Sequence, residues 1–209
     1  MTLPQKFRKS PSASVQYSFT DWTQRVGKLR LYGVLGEDSS STKYILTPDT
    51  LIFGSAKSTN RAQSAGSIQM DFEIAFTNPA TISGLATAAF SFQGTSAASP
   101  GSDNFTVVVT AGLYHVSDST TQLDSDISET TGTINGTETK YKQLLAEYDV
   151  GTVRIKAGDI IRLRVTMAPS GSSNSTSNGT LHHDPLNTDA SSNTISTRLI
   201  VSLPFKLDI

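Results

Sequence analysis

Apolar residues fall on every second position through long stretches of this chain, the pattern left by strands with one buried face. The clearest case is the C-terminal run, where Leu199, Val201, Leu203, Phe205, Leu207 and Ile209 share one face. Arg198, Ser202, Lys206 and Asp208 point the other way. A helix would scatter these six apolar groups around its circumference. Each large side chain that is buried contributes about 1.5–3 kcal/mol before entropy is counted, so the spacing predicts a core strand.

The same period recurs upstream. Ile68, Met70, Phe72, Ile74 and Phe76 alternate with polar or small residues, as do Ile161, Leu163, Val165 and Met167. Val15, Tyr17 and Phe19 form a shorter strand, and Leu29, Leu31 and Leu35 follow Gly27. Phe105 to Val116 is almost continuously apolar or Thr, which predicts a strand buried on both faces. Tyr44 to Phe53 gives two short pieces broken at Pro48, and Ile82 to Phe92 one more. Residues 138–149 carry two periods at once. Tyr141, Leu144, Leu145 and Tyr148 have helical spacing, whereas Leu144, Ala146, Tyr148 and Val150 have that of a strand. Strands on both sides favour the strand. Eight to ten strands without a clear helix predict an all-β fold, a jelly-roll-like antiparallel β-sandwich.

Between the strands, 37–42, 117–132 and 169–178 are rich in Ser, Thr, Asn, Asp and Gly, and read as mobile, solvent-facing loops. Residues 1–13 carry Lys6, Arg8 and Lys9, no acid and two prolines. They read as an extended N-terminal arm able to dock on a partner, ahead of a single β-sandwich domain over 14–209. Trp22, the only tryptophan, reads either as a contact or as core or hinge packing, and the outward-facing Tyr32 and Tyr114 are further candidate contacts.

Composition changes this picture little. The net charge is -1, with 17 basic and 18 acidic residues, so the basic excess of a nucleic-acid binder is missing. Charged residues make up 17%, below the ~25% of an average domain, and Ser and Thr fill the difference. Cysteine is absent, which removes disulfides and thiolate metal sites. No signal-peptide or membrane-spanning run is evident, so synthesis in a cytoplasm without processing is expected. The sequons at Asn104, Asn135, Asn174 and Asn178 read as chance in a Ser/Thr-rich chain.

Candidate chemistry is sparse. His182-His183-Asp184 offers metal-ligating groups, but adjacent strand residues point apart, so the segment reads as a polar turn closed by Pro185. His115 reads as a surface residue. Asp124-Ser125-Asp126 lacks the glycine and distal glutamate of a calcium loop and reads as a solvated acidic loop. Ser40 to Lys43 matches Ser-x-x-Lys without the helix that motif requires. Asp71 and Glu73 project from one strand face, where acids are ordinarily solvated. The expectation is a protein that is not an enzyme, with no catalytic, cofactor or metal site.

Several local patterns, in this order, resemble a family of β-sandwich structural proteins of tailed bacteriophages. They are Tyr17-Ser-Phe-Thr-Asp-Trp22, Gly27-Lys-Leu-Arg-Leu-Tyr-Gly33, Tyr44-Ile-Leu-Thr47 and Ile82-Ser-Gly84. Lys156-Ala-Gly-Asp-Ile-Ile-Arg-Leu163, His183-Asp-Pro185 and Pro204-Phe-Lys-Leu-Asp208 complete the series. The resemblance implies a virion component made in the host cytoplasm, a capsid decoration (cement) protein on the capsid exterior. Its implied partners are the major capsid protein and itself, as a homo-oligomer, a trimer, without nucleic acid, membrane or cofactor. Lys6, Arg8, Lys9 and Trp22 are the expected partner-binding residues. The alternative is a carbohydrate- or receptor-binding module of a phage tail or fibre.

Overall fold

A computed structural model of the chain describes residues 26–38, 41–50, 57–96, 104–171, 177–187 and 196–206. The fold is all-β, as the alternation predicts; among these residues the only helical element is a three-residue 3-10 turn at Gln63–Ala65. Twelve strands hydrogen-bond into one continuous sheet that folds over itself.

One half is built from β1 (Val26–Asp38), β5 (Ala80–Thr95), β9 (Thr139–Ile155) and β12 (Ile200–Lys206), in the order β9-β5-β12-β1. The other half is β4 (Ile68–Ala75), β10 (Ile160–Ser170) and β6 (Thr106–Val116), with short β7 (Thr120–Gln122) and β8 (Ile127–Thr130) on β6. β2 (Ser41–Thr47) joins the halves, antiparallel to β1 and touching β4 through one parallel pair, Ile45 with Glu73. That pair makes the sheet mixed; every other pairing is antiparallel. β11 (Asn178–His182) extends β5 beyond β12 and carries β3 (Ser58–Ala62) on its far edge.

The inner faces meet in one core. β4 contributes Met70, Phe72 and Ile74, β10 contributes Ile161, Leu163, Val165 and Met167, and β12 contributes Val201, Leu203 and Phe205. Phe76, just past β4, packs its ring 5.9 Å from that of Phe205. The halves approach so closely at Gly94 that an added Cβ would lie 2.6 Å from Ile134 Cδ1 and 2.9 Å from Val107 Cγ2. Only a residue without a side chain fits there. Between Ser83/Thr152 and Leu85/Asp149 the β5–β9 register slips, leaving one extra residue on β9. Gly151 supplies the left-handed backbone that this bulge needs, with φ 56°.

Residues 139–155 form the expected strand, with Leu144, Ala146, Tyr148 and Val150 buried. Other expectations are corrected. β6 buries one face only: Val107, Val109, Ala111 and Leu113 point inward while Thr106, Val108 and Thr110 are half-exposed. The supposed loop at 117–132 contains β7 and β8, and Pro169 lies inside β10, paired with Val107. These short strands escape periodicity because they are edge strands with scarcely any apolar residues. Val15, Tyr17, Phe19, Leu207 and Ile209 lie outside the described residues.

Candidate interaction surface

Lys6, Arg8, Lys9 and Trp22 lie outside the described residues, so the structure brings none of them to a site. What it does show is two outer faces of opposite character and a buried polar hub.

The outer face of β4–β10–β6 is neutralised within itself. Arg162 places Nη2 2.5 Å and Nε 2.7 Å from Glu73 Oε1, with Nη1 3.5 Å from Asp71 Oδ2. Arg164 grips Asp71 with both ends of its fork, at 2.9 and 3.1 Å. Its guanidinium lies 5.0 Å from the Tyr114 ring centroid. The register explains this: Arg162 faces Glu73 and Arg164 faces Asp71 directly across the β4–β10 ladder. Asp71 and Glu73 are therefore ion-paired, not merely solvated. Asp126 Oδ1 accepts from Gln122 Nε2 at 2.8 Å and from the Tyr114 hydroxyl at 3.3 Å. Asp124 accepts the Ser125 backbone N–H at 2.7 Å and that of Asp149 at 2.8 Å, and these two bonds, the first above all, hold its carboxyl below the usual range. The acidic loop is largely exposed, as expected, and Asp124 also ties it to β9.

A turn does begin at Asp184, whose carbonyl accepts the Asn187 N–H at 3.1 Å, but His182, His183 and Asp184 are all buried. His183 lies edge-on to Tyr44 and Phe72, at centroid distances of 6.0 and 5.9 Å, with Nε2 2.9 Å from Thr59 Oγ1. Thr59 Oγ1 is 3.1 Å from the Tyr44 hydroxyl. Loss of hydration holds the imidazole pKa down at about 4, so His183 is neutral at pH 7. A hydroxyl beside an imidazole can act as a nucleophile when an acid orients the ring and substrate can reach it. Here the ring is fully buried, and Asp184 Oδ1 accepts the Leu186 N–H at 3.0 Å. The segment instead anchors the entry to β12. Asp184 N donates to Thr197 O at 2.9 Å, Thr197 N donates to Asn187 Oδ1 at 2.7 Å, and Arg198 Nε donates to Pro185 O at 3.1 Å.

His115 is likewise no simple surface residue. Its Nε2 sits 2.8 Å from Asp159 Oδ2, and that oxygen also accepts the Lys156 N–H at 2.9 Å. Those two bonds, the backbone one first, lower the Asp159 pKa. The pair locks the turn that leads into β10. Ser40 lies outside the described residues, and Lys43 stands exposed on β2.

Tyr148 is fully buried, and its hydroxyl has no hydrogen-bond partner among the described residues. Burial pushes its phenol pKa upward. An unbonded buried hydroxyl carries its desolvation penalty without return, so Tyr148→Phe is expected to stabilise the fold by about 1 kcal/mol. Thermal melting checks this; a lower melting temperature would show the hydroxyl to be bonded.

The outer face of β9–β5–β12–β1 is the opposite of the charged ladder. Leu145 is 65% exposed, Leu85 52% and Tyr141 38%, and all three point outward from β9 or β5. Leu145 begins an apolar row that crosses four strands: it pairs with Ala89, Ala89 with Ile200, and Ile200 with Tyr32. The last three are half-buried. The sequence reading singled out Tyr32 from this row and missed the rest. The available signal was Tyr141 and Leu145, apolar residues out of step with the buried stripe of their own strand.

No family model matches this chain, and no curated protein matches it. Among solved structures, it is similar to a CocE/NonD family hydrolase from Staphylococcus aureus at 9% identity and TM-score 0.44, over 85% of this chain and 37% of that one. It is also similar to a chain of infectious bursal disease virus Gx strain, at 10% identity and TM-score 0.26, over 87% of this chain and 36% of the other. The VP2 subviral particle of infectious bursal disease virus gives 9% identity and TM-score 0.22, covering 85% and 42%. The chain thus spans less than half the length of each. The expectation that this protein is not an enzyme is corrected here: a CocE/NonD family hydrolase stands among these neighbours beside the infectious bursal disease virus chains.

Proposed function

We propose that this chain is a structural component of a virus particle, an all-β module that takes its place in the capsid shell by packing against other protein chains. The observation that carries the reading is the outside of β9–β5–β12–β1, with its apolar row and with Leu145 and Leu85 more than half exposed. Large apolar side chains gathered outside a sheet, beside a face whose charges are satisfied internally, suit burial against a protein partner. The order of motifs that resembles phage β-sandwich proteins supports the same reading. Its finer form is a decoration protein on the capsid exterior, bound to the major capsid protein, with Lys6, Arg8, Lys9 and Trp22 making contacts from the N-terminal region.

The test is the composition and map of purified particles. The chain is expected in regular copy number at symmetry-related positions on the shell. Its absence from particles, or its confinement to a tail or fibre tip, would overturn the reading. For the arm, deletion of residues 1–13 is expected to lower occupancy after a salt wash, since exposed charges act through several weak contacts. Full occupancy of the deleted protein would remove the arm from the interface.

A further inference from the structure

The outer face of β9–β5–β12–β1 is complementary to itself, and we propose that it is the contact surface for a second copy of this chain. The proposal deepens the shell reading by naming the partner of that face. Three consecutive cross-strand rows carry it. The first is the apolar row from Leu145 to Tyr32. In the next, Glu147 pairs with Thr87, Thr87 with Ser202 and Ser202 with Arg30. In the third, Asp149 pairs with Leu85 on the β9 side, and Lys28 pairs with Pro204 on the β1 side. Over these three rows the face is acidic on β9, basic on β1 and small or apolar between, while further along the strands Arg154 of β9 and Lys206 of β12 also stand on it.

Across this face the charges cannot neutralise each other. Glu147 and Arg30 are separated by two intervening strands, about 14 Å at the usual strand spacing. Among the described residues none of Lys28, Arg30 and Glu147 makes an ion pair. On the opposite side of the molecule, arginines and carboxylates lie on adjacent strands and pair directly. A second copy resolves the separation. A two-fold axis lying in the interface, parallel to the strands and between β5 and β12, exchanges β9 with β1 and leaves each row facing itself. Leu145 then meets the Tyr32 position of the other copy, Ala89 meets Ile200, Glu147 meets Arg30 and Asp149 meets Lys28. An isologous contact of this kind needs only one patch and closes on itself. Placing the axis across the strands instead would set β9 on β9, acid against acid.

The test uses the intact chain and its lack of cysteine. Sedimentation should show a reversible dimer, weakened by salt. Glu147→Arg and Arg30→Glu should each raise the dissociation constant by about tenfold or more, and the double exchange should restore it. Mixing chains that carry Leu145→Cys with chains that carry Tyr32→Cys should give a disulfide-linked heterodimer under mild oxidation. Circular dichroism confirms that each variant is folded. A chain that stays monomeric at about 100 μM, beyond the range of a specific weak complex, would overturn the proposal. So would a dimer indifferent to both charge reversals, or a face that becomes adhesive only after residues 1–25 are deleted. A monomer that still enters particles in full copy number would leave the shell reading standing. Absence from particles would overturn that reading whatever the dimer does.

Discussion

A chain ended before Leu199 is expected to yield no cooperatively melting protein. β12 is not an edge that the fold can lose: it lies between β1 and β5, hydrogen-bonded to both. Its removal strips Leu199, Val201, Leu203 and Phe205 from the core, all buried, and leaves two bare strand edges facing a gap. At about 1.5–3 kcal/mol for each large side chain, the loss rivals the ~5–15 kcal/mol net stability of a typical domain. The polar segment before the strand keeps Thr197 and its bonds to Asp184 and Asn187 but loses the strand that holds it against the core. Urea or thermal unfolding of the truncated protein checks this, and a sigmoidal transition near that of the intact chain would show β12 to be dispensable.

Stability should also fall as the pH is lowered from about 6.5 to 4, and His183 sets that window. In the unfolded chain its imidazole takes up a proton near pH 6.5, whereas in the fold it remains neutral down to about 4. Between those values the unfolded state binds more protons, so each step toward acid favours unfolding; below the window both states are protonated and the contribution levels off. The full difference amounts to about 3 kcal/mol, taking roughly 1.4 kcal/mol per pH unit. Asp159, whose pKa is lowered in the fold, adds a further loss only below the ordinary carboxylate range, which separates the two effects. His183→Gln should cost stability at pH 7 but flatten the slope between pH 6.5 and 4. Melting temperatures measured across that interval decide it, and an unchanged slope in the variant would assign the titration to another group.

How much of this was legible in advance differs between the core and the surface. The alternation in β4, β10 and β12 marks strands with one apolar face, and the structure buries those faces. Periodicity is silent where a strand buries little, and so β3, β7 and β8 escaped it. Pairing between distant segments has no local signal either. Asp71 looks solvated along its own strand and becomes half of an ion pair only when β10 is laid beside β4. His182 to Asp184 read as a turn because their composition is polar, yet hydrogen bonds to Thr59, Leu186 and Thr197 allow that polarity to be buried. Residues 138–149 are the most instructive. Their helical spacing came from Tyr141 and Leu145, the residues that the strand leaves exposed, so the conflict between two periods was itself the mark of apolar side chains on an outer face.

The position of β12 also bears on how the protein comes to be folded. Val26 pairs with Lys206, at nearly opposite ends of the described chain, so of the described strands the one made last lies in the middle of this half of the sheet. Until β12 has been synthesised, β1 and β5 present unsatisfied edges toward one another with an empty lane between them. Contacts this distant in sequence form slowly, because a long stretch of chain must be closed before they reward it. Through that interval the exposed edges invite strands from other copies. A nascent chain of this design gains from being shielded during synthesis, and high expression at elevated temperature should divert it into aggregates before the lane is filled.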